Sequence, residues 1–401
     1  MSLFLTTVPV EEAVNTARSL AIRLSSEEIP LNAAFGRVLS NDITADIDIP
    51  GFSRSSVDGY AVRFRDTTGA SESLPALFSL SGRAAMGAEG VKTLPSDSVL
   101  YVPTGGPVPG GADAVVMIEY TESIGNDVLV KRPAAPGENI VLQGEDFKAG
   151  EVILSRGTVL SSRQIAALAA AGRTTVPVTR KPKVGVISTG NELIPVGEIP
   201  TGSQVRDINS WMCGAFLQSA GCIPEYFGIV KDDRSLLQKI LQKALLLCDA
   251  VIISGGSSKD DRDLTADLIR ESGDVLIHGI AIAPGKPTII GRSGQKPVIG
   301  LPGHPASAFV VLLVIARPLF MGMTGQGDQE MLTRRLMLGE NIPSTRGRED
   351  YVRVRILEGK VYPEFGKSGL VNTLIRSDGL VRVPSGVEGL EEGELVEVIL
   401  W

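Results

Sequence analysis

Short apolar, β-branched runs alternate with longer amphipathic ones through the middle of this 401-residue chain, and most of the short runs end in a glycine-rich or acidic segment. The runs at 184–188, 226–230, 249–253 and 297–301 read as buried strands. Those at 209–220, 235–247, 264–271 and 306–320 read as the helices between them. Strand and helix alternating in this way predict a central doubly wound, mainly parallel α/β sheet domain, with ligands at the carboxyl ends of its strands. Helix 209–220 is expected to bury an apolar face that includes Trp211, Ala215 and Leu217. Elsewhere the period falls to two. Short strands cut by glycine and proline make residues 75–148 β-rich, and EDYVRVRIL, GLVRVP and GELVEVIL predict a small C-terminal β-barrel. The pattern also predicts a helix over 9–24, with Val10, Val14 and Ala17 at helical spacing, and another from Ser161 or Ser162 to a C-capping Gly172.

Composition narrows the class. A chain of this length exceeds the roughly 250–300 residues that one core organises, so several domains are expected. Hydrophobic content of 43% and charged content of 21% are globular values. A net charge of −7 argues against nucleic acid or an anionic membrane as the main partner. Three cysteines without a CxxC pair fit a reducing compartment, and two histidines give a His-rich metal site little material. The longest apolar run, Ala308 to Ala316, falls short of the ~20 residues of a membrane span. A soluble cytoplasmic protein is expected.

The chemistry concentrates where the strands end. In AVIISGGSSKDDRDLT an apolar strand meets Ser254, Gly255 and Gly256, followed by a polar loop carrying Asp260, Asp261 and Asp263. Glycines admit a ligand to the backbone, a helix start offers N–H groups to an anion, and carboxylates there suit Mg²⁺. Three other polar segments fall at strand ends: Ser188-Thr189-Gly190-Asn191-Glu192, Asp232 with Asp233, and Pro302-Gly303-His304. One acidic run alone is usually a solvated face; repetition at several strand ends selects a cation bound partly through substrate phosphate oxygens. A lone histidine such as His304 is more often a hydrogen-bonded structural group than a catalyst. RSSVDGY, 54–60, reads as a functional loop, TGGPVPGGAD as a hairpin connection, and Gly144-Glu145-Asp146 adds a carboxylate. Neither GxGxxG after an early strand nor a P-loop motif is present.

SSVDGYAV, PTGGPVPGGADAVV, GED, STGNEL, SGGSSKDDRDLT, PGKP and LPGHPASA, in this order, resemble the molybdopterin molybdenumtransferase family of molybdenum-cofactor assembly, related to the gephyrin E domain. The resemblance implies four domains: an extended, discontinuous α+β linker and dimerisation domain (1–45 with 149–178), a β-rich domain (46–148), the molybdopterin-binding α/β domain (179–326) and the β-barrel (327–401). It implies a homodimer and Mg²⁺-dependent insertion of molybdate, or tungstate, into adenylylated molybdopterin with release of AMP. A separate adenylyltransferase is a candidate partner; nucleic acid and membrane are not. By position, Asp58, Thr104 and Asp146 come from the partner's β-rich domain, and Glu192, Asp232 or Asp233, and Asp263 from the sheet. Arg348 and Ser368 reach in from the barrel. Asp58, Asp146, Glu192 and Asp263 become the catalytic carboxylates, with Glu192 and Asp263 as Mg²⁺ ligands.

The chain departs from that pattern in two places. Ser257, Lys259 and Asp260 replace two valines and a glycine, and two lysines usual before PGKP fall on Gly279 and Ala283. Lys259, Arg262 or Lys286 is expected to supply the missing charge in a rearranged anion pocket. The other readings are a non-catalytic, gephyrin-like scaffold and a pterin-binding or adenylylating relative; the retained carboxylates favour catalysis.

Overall fold

The computed structural model describes residues 6–87, 93–255, 259–327 and 331–401, with the backbone alone for 259–263. In chain order it opens with helix α1 (Val10–Ser19) and strand β1 (Ser26–Pro30). A six-stranded sheet follows, made of β2 (Gly59–Val62), β3 (Ala76–Arg83), β4 (Ser98–Val102), β5 (Ala114–Met117), β6 (Thr121–Ile124) and β7 (Asp127–Val130) in the order β5-β2-β4-β3-β7-β6. Val62, Val99, Val116, Val128 and Val130 form its core on one face. The alternating pattern of this region therefore does become sheet. Helix α2 (Ser162–Ala170) starts at Ser161, whose backbone N–H donates to the Gln164 side chain at 3.2 Å, and β8 (Thr175–Thr179) returns antiparallel to β1.

The α/β module is built from β9 (Lys183–Thr189), α3 (Asn209–Ser219), β10 (Ile223–Val230), α4 (Arg234–Leu247), β11 (Ala250–Gly255), α5 (Lys259–Ser272), β12 (Asp274–His278), a two-residue β13 (Ile282–Ala283), β14 (Ile289–Ser293) and β15 (Lys296–Leu301). The sheet order is β10-β9-β11-β15-β14-β12, and its first four strands are parallel. The interior strands β9, β11 and β15 are buried almost throughout and so read as continuous apolar runs, whereas β10, at the sheet's edge, is mostly part-exposed. Two helices differ from expectation. Helix α5 begins at Lys259 rather than near 264, so the aspartate-rich segment expected as a loop is the helix's opening turns. The helix dipole favours acidic residues in a first turn, so an acidic run at this point of the sequence is a start signal. On α3 the buried face is Cys213, Gly214 and Leu217, while Trp211 is 57% exposed and Ala215 is exposed. Trp211 packs instead on the Tyr226 ring, centroids 5.5 Å apart, at the sheet's edge strand.

After β15 a helical run crosses the core as α6 (Pro305–Val311), a π-helical turn at Leu312–Ala316 and α7 (Arg317–Thr324). This run of 20 residues, with an 18-residue stretch of mean hydropathy 2.0, is longer than the apolar stretch picked out above because it includes Ser307, Arg317, Pro318, Gly322 and Thr324. It is long and apolar enough to cross a bilayer, yet 78% of it is buried within the protein, as befits a core helix. Helix α1 packs Val10, Ala13 and Ala17 into this same core. Leu160, Leu168 and Val176 instead pack with Ala34, Leu39 and Ile43.

The C-terminal strands are β16 (Thr333–Leu338), β17 (Glu349–Leu357), β18 (Lys360–Pro363), β19 (Gly379–Val383) and β20 (Leu395–Leu400). They close into a ring, β17-β18-β16-β20-β19 and back to β17, around Val354, Val361, Val381 and Val398. The barrel is joined to the α/β module by β13, which pairs with β17 at Glu349 and Asp350. On its other side the same segment receives the chain's start: Val8 N–H donates to Gly279 C=O at 3.2 Å, and Ala281 N–H to Val8 C=O at 2.8 Å.

Candidate functional site

The four parallel strands end in one row. Thr189 lies beside Val230 on one side and Gly255 on the other, and Ser254 lies beside Leu301. Everything that follows these residues therefore emerges on one edge of the sheet, the position where open α/β sheets bind ligands. Ser188, Thr189 and Ser254 are buried there. Asp232 links two of the loops, its carboxylate accepting from Thr189 Oγ1 at 3.0 Å and from Asn191 N–H at 3.1 Å. Asp233 is engaged differently. It caps α4, accepting from Leu236 N–H at 2.9 Å and Ser235 Oγ at 2.8 Å, and these bonds, the backbone one first, hold its carboxyl below the usual range. Of the two aspartates, Asp232 is the one placed at the loops. Glu192 folds back over Gly190, so close that a Cβ on Gly190 would lie 2.7 Å from its carboxylate. Gly256 and the side chains of Lys259, Arg262 and Asp263 lie outside the described residues.

One residue that the sequence reading did not single out ties this edge together. Asn209, at the start of α3, donates from Nδ2 to Ser254 Oγ at 2.9 Å and to Gly303 C=O at 2.8 Å. It thereby fixes the end of β11 to the LPGHP loop. Asn209 Oδ1 and Ser188 Oγ are buried without a hydrogen-bond partner among the described residues, which leaves polar capacity at this edge. No sequence signal marks Asn209, since its partners are 45 and 94 residues away.

His304 carries the edge across to the barrel. Its Nδ1 shares a 2.8 Å hydrogen bond with Ser368 Oγ, and Ala306 N–H donates to Ser368 C=O at 3.0 Å. Beside this junction opens a cleft of about 370 Å³. Its walls include Lys286, Arg346, Arg348, Ser307, Ser368 and Thr7, with no aspartate or glutamate among the described residues that line it. Ala283 lines it too, alongside Lys286 and the two barrel arginines. Arg346 was not anticipated. Arg348 donates from Nε to Asp350 at 2.8 Å, and Ser344 donates to the same carboxylate at 2.8 Å.

Asp58 and Thr104 meet in the β-rich module, where Asp58 Oδ1 accepts from Thr104 N–H at 2.7 Å and Thr104 Oγ1 at 3.0 Å. The backbone bond, then the hydroxyl, hold the Asp58 carboxyl below its ordinary value, against a small opposing effect of desolvation. Asp58 therefore stays ionised at neutral pH, as an acceptor or fixed charge rather than a proton donor. Thr104→Val removes only the hydroxyl, so NMR titration should find the Asp58 midpoint raised part of the way to its ordinary value. An unchanged midpoint would show that the hydroxyl contributes nothing. Asp146 is exposed on a neighbouring turn whose backbone N–H donates to Ile49 C=O at 3.0 Å. Among the described residues no hydrogen bond or ion pair joins Asp58, Thr104 or Asp146 to the sheet edge.

Comparison with known proteins gives a consistent result. Three domain families match in order: MoeA N-terminal region (domain I and II) over 8–172, a probable molybdopterin binding domain over 185–322, and MoeA C-terminal region (domain IV) over 335–401. The chain is 32% identical over 405 residues to a molybdopterin molybdenumtransferase of Bacillus subtilis, covering 98% of this chain and 94% of the relative. A Methanocaldococcus jannaschii relative named for molybdopterin biosynthesis is 35% identical over 388 residues, 93% and 92% of the two chains. Among solved structures, a molybdopterin biosynthesis moeA protein of Pyrococcus horikoshii superposes with a TM-score of 0.88 at 32% identity, covering 99% of this chain and 100% of that one.

Proposed function

Because this chain belongs to the MoeA family of molybdenum-cofactor biosynthesis proteins, we propose that it inserts molybdate, or tungstate, into adenylylated molybdopterin and releases AMP. The observation that carries this reading is the cleft lined by Lys286, Arg346 and Arg348, with no acidic side chain among its described lining residues and joined through His304 and Ser368 to the ligand edge of the sheet. A tetrahedral oxyanion and a phosphoanhydride are both anionic, and converging cations with hydroxyl donors stabilise such groups. Buried Ser188 and Ser254 give the sheet edge a polar lining for the substrate.

Magnesium is the cation we propose for this edge. Glu192 supplies a carboxylate whose oxygens face the Gly190 turn, and Mg²⁺ favours one or two carboxylates completed by substrate phosphate oxygens and water. Bound there, it would neutralise charge on the phosphoanhydride; Asp263 is the second candidate ligand. Asp232 keeps the loop bearing Glu192 in place through Asn191 and Thr189. In a homodimer, Asp58, Thr104 and Asp146 of one protomer would complete the site of the other. A separate adenylyltransferase would supply the activated substrate.

The test is direct. Purified protein, incubated with adenylylated molybdopterin, Mg²⁺ and molybdate, should release AMP in proportion to the molybdate present. Release that does not depend on molybdate, or none at all, would overturn the proposal.

A further inference from the structure

Beside the basic cleft lies a second cavity of about 240 Å³, and the two share Ala283, Pro284 and Ser368 as a common wall. Its place follows from the way β17 changes neighbours. On one edge β17 pairs with β13 at Glu349 and Asp350 only, and with β18 from Val354 onward. Tyr351, Val352 and Arg353 line the gap between them. Pro284, directly after β13, has no N–H with which to extend the ladder into it. The far wall is the chain leaving β18, Glu364-Phe365-Gly366.

The charged groups around this gap are partly engaged elsewhere, although Arg353 Nε is buried without a hydrogen-bond partner among the described residues. Arg353 donates to Gly366 C=O at 2.8 Å, Asp350 is held by Arg348 and Ser344, and Glu364 faces Arg355 at 3.7 Å. What remains is proline, backbone and an aromatic ring: Phe365 is 54% exposed at the rim. One cavity thus gathers Lys286, Arg346 and Arg348, the two arginines also facing Glu388 and Asp350, and its neighbour offers an exposed aromatic ring at its rim. Whole ligand pockets run to about 300–1,000 Å³, so a space of this size holds a part of a ligand and not all of it.

We propose that this gap is the ring subsite of the substrate, in which a planar bicyclic nitrogen heterocycle packs against Phe365 while its attached phosphate lies among Lys286, Arg346 and Arg348. The inference rests on the function proposed above, whose substrate carries two such rings, adenine and pterin. Stacking on an exposed aromatic side chain is tolerant of ring identity, so both sources share the chemistry.

Calorimetric titration of the full-length protein with AMP, neopterin phosphate and ribose 5-phosphate tests it, the last being a phosphate without a ring. The wild type should prefer a ring-bearing ligand over ribose 5-phosphate by about tenfold. Phe365→Ala should lose that preference with ribose 5-phosphate affinity intact, and Phe365→Tyr should keep it. Preference for AMP assigns the gap to adenine, and preference for neopterin phosphate assigns it to the pterin. Equal affinities for all three, no binding of any, or an unchanged preference in Phe365→Ala would overturn the subsite. Because Phe365 is exposed, its loss leaves the barrel core untouched, and an unshifted melting temperature checks this. If wild-type protein shows molybdate-dependent AMP release while the ring preference is absent, the subsite alone fails; without that release, the function itself fails.

Discussion

Arg348→Ala is expected to lower kcat/KM for molybdate-dependent AMP release by roughly 100-fold, the scale of removing one preorganised donor to a developing anion. Two effects act in the same direction. The cleft loses one of its three cations, and Asp350, only 8% exposed, loses the guanidinium that neutralises it and keeps Ser344 alone. An unmasked carboxylate beside an oxyanion site repels the substrate that the arginine attracted. Arg348→Lys should recover part of the loss, since it returns the charge but not the planar fork. Adding Asp350→Asn to Arg348→Ala should also recover part, by removing the unmasked charge; that coupling is read from a double-mutant cycle. The Arg348 side chain is 47% exposed, so its ion pair contributes little to stability and the melting temperature should stay close to that of the wild type. A kcat/KM within about threefold of the wild type would remove Arg348 from the anion site.

The same residue illustrates what the sequence does and does not disclose. The interior strands of the α/β module were legible because strands buried on both faces are written as nearly unbroken apolar runs, such as Ala250–Gly255. Strand ends were legible too, since glycine and acidic residues interrupt the runs at Gly190, Asp232 and Gly303. The start of α5 was not, because an N-terminal turn rich in aspartate has the composition of a loop. Trp211 was assigned to a core face by spacing alone, whereas its ring lies across the edge strand against Tyr226. The cleft was the least visible part. It exists because residues 282–283 pair with 349–350, a contact between two modules that no local periodicity encodes. Lys286 and Arg348 were named through family motifs. Arg346 and Asn209 belong to the site only through the fold, one by facing Lys286 across the cleft and the other by bridging Ser254 and Gly303.

Gly255→Ala should lower the melting temperature of the α/β module by roughly 10 °C, corresponding to about 3 kcal/mol at the upper end of ordinary overpacking. Gly255 closes β11 opposite Thr189, and a Cβ there would lie 2.2 Å from both Thr189 Cγ2 and Thr189 C=O. Neither neighbour has room to retreat. The carbonyl belongs to the parallel ladder, and the Thr189 side chain is buried and tied to Asp232 through its hydroxyl. The two strands must part at the point where the Gly190 turn leaves the sheet, so activity should fall further than stability. Thr189→Ser in the same protein removes the methyl clash and keeps the hydroxyl bond to Asp232, but the carbonyl clash persists, and rescue should be incomplete. Gly197→Ala is the control, because a Cβ there meets nothing within 4 Å. A Gly255→Ala protein that melts within about 1 °C of the wild type would show that β9 and β11 do not approach as closely as their register implies.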